Sequence, residues 1–101
     1  MFKIPSHANS VAKKAIQHYG HTAQVIKAIE ELSELQKELA KGLNDNLDRS
    51  QLVEEYADVY YMMYQLEKIY NITTDEVLTV IEENADRLKK RMEVHELKYM
   101  N

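Results

Sequence analysis

Residues that break a helix are scarce in this chain. It has one proline, Pro5, and two glycines, Gly20 and Gly42, in 101 residues. So few permitted sharp turns favour long helices joined by short links. No strand signal of any length, internal repeat or low-complexity segment interrupts that pattern. Four helices are expected. The first begins near Ser6 and ends at "HYG", where Gly20 suits the left-handed position just past a helix end. The second runs from about Thr22 to Lys41 on Val25, Ala28, Ile29, Leu32, Leu35 and Leu39, and Gly42 closes it. After the turn-rich "GLNDNLD", Asp48 caps a third helix, with Gln51 in the capping-box position. That helix continues to about Tyr70. "NITTDE" breaks the pattern, and Thr73 with Glu76 forms another box. The fourth helix runs from about Thr74 towards Glu96 on Val77, Val80, Ile81, Ala85, Leu88 and Met92. The last residues, "LKYMN", are expected to fray. Short links favour antiparallel neighbours, so the expected architecture is an all-α four-helix bundle. One domain over 1–101 is expected, with its core at about 6–96.

Charge narrows the partners. Seventeen Asp and Glu stand against 13 Lys and Arg, which disfavours a general nucleic-acid binder. A metal-bridged phosphate ligand stays open, because bound cations reverse the local charge. The chain has no cysteine, which removes disulfides, thiolate zinc sites and cysteine nucleophiles together. No N-terminal apolar run resembles a signal peptide, and no apolar segment approaches the length of a membrane span. A cytoplasmic protein without membrane partners is therefore expected. The core of so short a chain is small, so an apolar face left over favours self-association.

The segment "LVEEYADVYYMMYQL", Leu52 to Leu66, sets the functional question. At about 100° per residue, Leu52, Tyr56, Val59, Met63 and Leu66 line one stripe. Glu55 falls inside it and Asp58 on its edge. A buried carboxylate without a partner costs several kcal/mol, so either a cation meets it or the buried face lies elsewhere. The second helix offers Glu31 and Glu34, three apart on adjacent turns beside its apolar stripe. Glu38 continues that row, and Glu30 points more towards solvent. If the two helices pack antiparallel, four carboxylates meet. An all-oxygen site of this kind suits Mg²⁺ or Mn²⁺. The same spacing on one helix alone is the pattern of an ordinary solvated face. A di-iron carboxylate bundle needs Glu-x-x-His pairs, and His7, His18, His21 and His95 form none with any glutamate.

The two motifs in order, "EELSE" and "EEYAD", resemble the signature of the MazG-like all-α nucleoside triphosphate pyrophosphatases, Glu-Glu-x-x-Glu followed by Glu-x-x-Asp. The likeness extends through "HYGHTAQVIKAIEEL", "LVEEYADVYYMMYQL" and "NADRLKKRM", and it is closest to the short single-domain bacterial and phage members. The resemblance implies Mg²⁺-dependent cleavage of a nucleoside triphosphate between its α and β phosphates, giving the monophosphate and pyrophosphate. It implies that Glu31, Glu34, Glu55 and Asp58 hold metal. Glu34, with Glu31 beside it, would act on the attacking water. It also implies helices packed across the interface of a homodimer or homotetramer. Asn84, Arg87 and Arg91 fall beside Val77 and Val80 on the fourth helix and are candidates for phosphate contact, as is Lys27, one turn before Glu31. Asn84 departs from the lysine that relatives often carry there. Gln24, His18 and His21 lie where family members approach the nucleobase. Tyr60, Tyr61 and Tyr64 lie away from the main stripe and are expected to form a second buried face at a subunit interface.

Two other functions fit the same helices. A non-catalytic metal or nucleotide sensor, or a protein-interaction module, would keep the bundle and lose turnover. An interaction scaffold has no need for four converging carboxylates, and a purely structural helical dimer would need Glu55 exposed or paired with arginine.

Overall fold

The structure, a computed structural model, describes residues 3–98. It contains four α-helices: α1 (Ser6–Tyr19), α2 (His21–Leu43), α3 (Arg49–Ile69) and α4 (Thr74–Lys98). No strand occurs among the described residues. The chain divides into two compact units, Met1–Asn71 with α1 to α3, and Ile72–Asn101 with α4.

Each helix boundary has a local cause. Pro5, with φ −58°, starts α1, and its carbonyl accepts from the Asn9 N–H at 2.9 Å. One residue, Gly20, separates α1 from α2. Its φ of +89° comes with ψ of 163°, an extended positive-φ conformation essentially restricted to glycine, rather than the left-handed helical one expected. Gly42 does not close α2, which continues through it to Leu43. The left-handed residue is Asp45, at φ 58°. The Asp45 N–H bonds to the Gly42 carbonyl and the Asn46 N–H to the Lys41 carbonyl, the paired closure of a Schellman motif. Short polar side chains tolerate this backbone, and Asn71 does the same after α3, at φ 54°.

The starts of α3 and α4 follow the expected caps. Asp48 Oδ1 accepts from the Gln51 N–H at 3.1 Å. At Thr73 both halves of the box form, with Glu76 Oε2 accepting from the Thr73 N–H at 2.7 Å and the Glu76 N–H donating to Thr73 Oγ1 at 3.2 Å. Leu97 and Lys98 belong to α4 rather than to a frayed end; Tyr99 to Asn101 lie outside the described residues.

In the first unit the turn after α2 sends α3 back along it, so that Glu31 meets Glu55 and Asp58. α1 runs parallel to α3, as successive bonds show. The Tyr61 hydroxyl donates to the Ala8 carbonyl at 2.7 Å, the Tyr64 hydroxyl to Asn9 Oδ1, and Gln65 Nε2 to the Ala12 carbonyl at 3.5 Å. The Tyr60 hydroxyl accepts from the Lys3 N–H at 3.1 Å. These tyrosines form the second face expected of them, but α1 and the segment before it meet that face within the chain.

The buried set of this unit is half polar: Ala12, Ala28, Met62 and Tyr64 with Gln24, Glu38, Glu55 and Gln65. The expected stripe on α3 is therefore turned. Tyr56 and Met63 are exposed and Leu52, Val59 and Leu66 half-buried. α3 is gripped by α2 on one side and by α1, through the tyrosine hydroxyls, on the other. Ala12 and Ala28 have no side-chain bulk to hold the helices apart. On α2, Ala28 is buried and Val25 and Leu35 are half-buried, whereas Ile29, Leu32 and Leu39 are exposed.

α4 forms the helical part of the second unit alone. A lone helix has no neighbour within its unit to cover an apolar row. Val77 is half-buried, and Val80, Ile81, Ala85, Leu88 and Met92 are exposed.

Candidate metal centre and cavity

Among the described residues, Glu31, Glu55 and Asp58 each place a carboxylate oxygen within 4.8 Å of the others. Antiparallel packing of α2 and α3 brings Glu31 to Glu55 and Asp58, which their three-residue spacing sets on one side of α3. Glu55 is 9% exposed, and Gln51 Nε2, one turn earlier on α3, donates to its Oε1 at 2.8 Å. Gln51 thus spends its backbone on the cap and its side chain on Glu55. Glu31 is half-buried and receives Lys27 Nζ at 3.0 Å; Lys27 also lies 4.0 Å from Glu30.

The fourth expected ligand does not join. Glu34 is exposed and is not in the trio. The buried end of that row is Glu38, which takes Lys41 Nζ on Oε1 at 3.0 Å, while its Oε2 has no partner.

Electrostatics make the trio costly as it stands. Even at the outer limit of 4.8 Å, two unit charges repel by about 1 kcal/mol in water and by about 3.5 kcal/mol at an effective dielectric of 20. One lysine and one amide dipole answer three carboxylates. The consequence appears at Asp58. Its surface is open, but its carboxyl pKa is raised, first by local desolvation, then by the charge and hydrogen bond of Glu31 and by the charge of Glu55. The Lys27 pKa is raised by its hydrogen bond and charge interaction with Glu31.

The donor set fits a hard divalent cation. All three groups offer oxygen, the ligand type of Mg²⁺, Ca²⁺ and Mn²⁺. Oxygens this close together could share one such ion without a change of fold. The three protein oxygens leave positions for water or phosphate.

Glu31 and Asp58 also stand at the wall of a hollow of about 600 Å³ in this unit. That volume lies within the range of small-molecule sites. Its lining includes Tyr19, Gln24, Lys27, Met62 and Gln65. Of the candidates for base contact, Gln24 is buried and lines this cavity. His18 is not on its lining and stacks edge-on against Tyr19, ring centres 4.6 Å apart. His21 lines a separate hollow of about 270 Å³ with Ile26 and Tyr70. Lys27 both lines the cavity and pairs with Glu31. Asn84, Arg87 and Arg91 belong to the second unit, where they are exposed and Arg87 donates to Asn84 Oδ1.

Gln65 was not among the expected site residues. It is 1% exposed, the largest fully buried side chain among the described residues, and it lines the cavity. Its Oε1 has no hydrogen-bond partner, a state that costs about 1–3 kcal/mol for a buried acceptor. The signal was present in "YYMMYQL", where one amide interrupts an aromatic and apolar run. Asp58, Met62 and Gln65 then follow helical spacing along one side of α3.

Compared with known proteins, the chain matches no protein-family model, no curated protein and no solved structure. No helix of the described residues is long and apolar enough to cross a membrane.

Proposed function

We propose that the protein is a Mg²⁺-dependent nucleoside triphosphate pyrophosphohydrolase, releasing a nucleoside monophosphate and pyrophosphate, with a role in clearing unwanted nucleotides. The observation that carries this reading is the convergence of Glu31, Glu55 and Asp58 beside a cavity of nucleotide size. The resemblance of "EELSE" and "EEYAD" to the MazG-like signature adds the reaction class. Glu31, Glu55 and Asp58 would hold Mg²⁺, with Mn²⁺ as the substitute. When bound, the ion would neutralise phosphate charge and make a coordinated water more acidic.

The chain's own groups supply the rest. Gln51 holds Glu55 in one orientation through its 2.8 Å bond. Lys27, paired with Glu31 at 3.0 Å, would be the cation for a phosphate oxygen where a bound ion takes its place on that carboxylate. Glu34, one turn from Glu31 and open to solvent, accepts the proton of the attacking water. The water oxygen forms a bond to phosphorus, the bridging α–β P–O bond breaks, and pyrophosphate leaves with the bridging oxygen. Gln24 faces the base. The phosphate roles of Asn84, Arg87 and Arg91 rest on the sequence alone. Self-association as a dimer or tetramer belongs to the same reading, supported by the exposed apolar side chains of α2, Ile29, Leu32 and Leu39.

The test is incubation of the protein with Mg²⁺ and a panel of nucleoside triphosphates, followed by chromatography of the products. Monophosphate and pyrophosphate in equal amounts are expected. Monophosphate formed with two inorganic phosphates would point to stepwise removal instead. No turnover, with metal and nucleotide both bound, would leave a sensor as the better reading.

A further inference from the structure

We infer that Gln65 is a nucleobase-reading residue: its free side-chain oxygen accepts a hydrogen bond from an N–H on the edge of a base bound in the cavity. This rests on the nucleotide reading of the site and adds the chemistry by which one ligand is chosen.

A side-chain amide carries two donor hydrogens and an oxygen with two acceptor positions. Gln65, at 1% exposure, has a single long bond for all of them, from Nε2 to the Ala12 carbonyl at 3.5 Å. The orientation of the amide is not free. Flipping it would set Oε1 against the Ala12 carbonyl, two acceptors face to face, so α1 fixes the nitrogen end. The oxygen end is left without a donor from the protein and is closed to solvent in the unliganded chain, on a residue that lines the cavity; a base edge reaches it as the lining side chains over it move aside.

Position along α3 agrees with this role. Gln65 lies seven residues beyond Asp58, about 10 Å along the helix axis. Both residues line one cavity, with the acidic trio at one level of α3 and the amide at another. A nucleotide has the same polarity, with phosphates at one end and hydrogen-bonding base edge at the other. The base must then present an N–H, as an imide or an amino group, because the free group of Gln65 only accepts. The remaining lining near this level, Met62, Tyr61 and Ala15, is suited to a flat ring.

Equilibrium binding tests this without requiring turnover. The full chain is titrated calorimetrically, with Mg²⁺ present, against the four common deoxynucleoside monophosphates. The tightest is then compared with its analogue methylated on the edge nitrogens, using the wild type and Gln65→Met. Methylation is expected to weaken binding to the wild type about tenfold, the scale of one lost hydrogen bond. In Gln65→Met the parent nucleotide weakens by a similar factor, and methylation no longer matters. A companion measurement needs no variant: the Gln65 side-chain carbonyl ¹³C resonance moves when the parent nucleotide is added and stays when the methylated one is added. Binding that ignores both the methyl group and the substitution overturns the role of Gln65 alone. An equal loss for both ligands in Gln65→Met, with the carbonyl resonance unmoved, assigns Gln65 to structure and also overturns it. Absence of binding by every nucleotide overturns this inference together with the reading it rests on.

Discussion

The third and fourth helices begin with related signals, Asp48 with Gln51 and Thr73 with Glu76, and use them differently. At Thr73 the exchange is reciprocal: each residue's side chain bonds the other's backbone N–H. At Asp48 only the first half forms, and the Gln51 side chain turns along the helix to Glu55. The capping position on α4 serves the helix end. On α3 it serves the end and a buried carboxylate together. Gln51 therefore supports the candidate site, and the start of α4 provides an internal reference for a cap without that duty.

If the α3 start is built around a cation, the largest effect comes from the carboxylate that Gln51 holds. Glu55→Gln keeps the shape and removes one charge from the trio. It is expected to lower metal affinity and hydrolysis beyond the roughly 10–100-fold typical of losing an outer-shell partner. Stability without metal should stay the same or rise as repulsion is relieved. Calorimetric Mg²⁺ titration and thermal melting read both effects; a variant that binds metal as the wild type does would remove Glu55 from the site. Gln51→Ala tests the division of labour directly. The Asp48 bond uses the Gln51 backbone and survives, so helicity should be nearly unchanged, while metal affinity falls about 10–100-fold. Equal losses of helix and affinity would dissolve the contrast with α4.

The trio also predicts a pH dependence. The Asp58 carboxyl titrates above its ordinary 3.8 in the folded chain, so the metal-free fold holds that proton more tightly than the unfolded chain does. That contribution is fully present below 3.8 and is lost as pH rises through the raised value. A cation favours the carboxylate and reverses the sign. The rise in melting temperature given by Mg²⁺ should therefore grow as pH climbs past 3.8. A metal increment that stays flat across this range would exclude Asp58 as a ligand.

Much of this was legible in the sequence, for identifiable reasons. Helix starts depend on side chains next to them in the chain, so Asp48 and Thr73 could be found locally. The three-residue spacings of Glu31 with Glu34 and of Glu55 with Asp58 gave the candidate carboxylates, and Glu55 inside an apolar segment marked the site. Which carboxylates converge depends on how α2 and α3 turn against each other. Spacing cannot supply that rotation, and it left Glu34 outside and Glu38 buried. The apolar stripe on α3 is not its buried side, because hydroxyl bonds from Tyr61 and Tyr64 to α1 draw a more polar side inward. The helix-closing role given to Gly42 passed to Asp45 for a similar reason, since a polar residue can take the left-handed turn.

A third helix start sharpens the comparison by having no side-chain cap. Gly20 precedes α2 with φ +89° and ψ 163° and no capping side chain. A methyl group added there would meet nothing within 4 Å, so space is not the constraint. Backbone conformation is, and Gly20→Ala is expected to cost about 1–3 kcal/mol, measurable as a lower urea midpoint. A neutral result would mean that the α1–α2 joint relaxes to another conformation.

The smallest effect is expected at the completed box. Hydrogen bonds from the Thr73 N–H and hydroxyl lower the Glu76 pKa below its ordinary 4.5. A carboxyl with a depressed folded value adds stability that is present above 4.5 and is lost as pH falls through the lowered value. Because Glu76 is exposed, solvent screens the effect, and it should show as fraying of the first turn of α4 rather than as unfolding. The Thr73 and Glu76 amide resonances followed by NMR through acid pH would report it. Glu76→Gln should flatten the Thr73 titration while leaving the Gln51 amide unmoved, because the cap at Asp48 is a separate structure. If the two amides respond together, the two helix starts are coupled and α4 no longer serves as the independent reference.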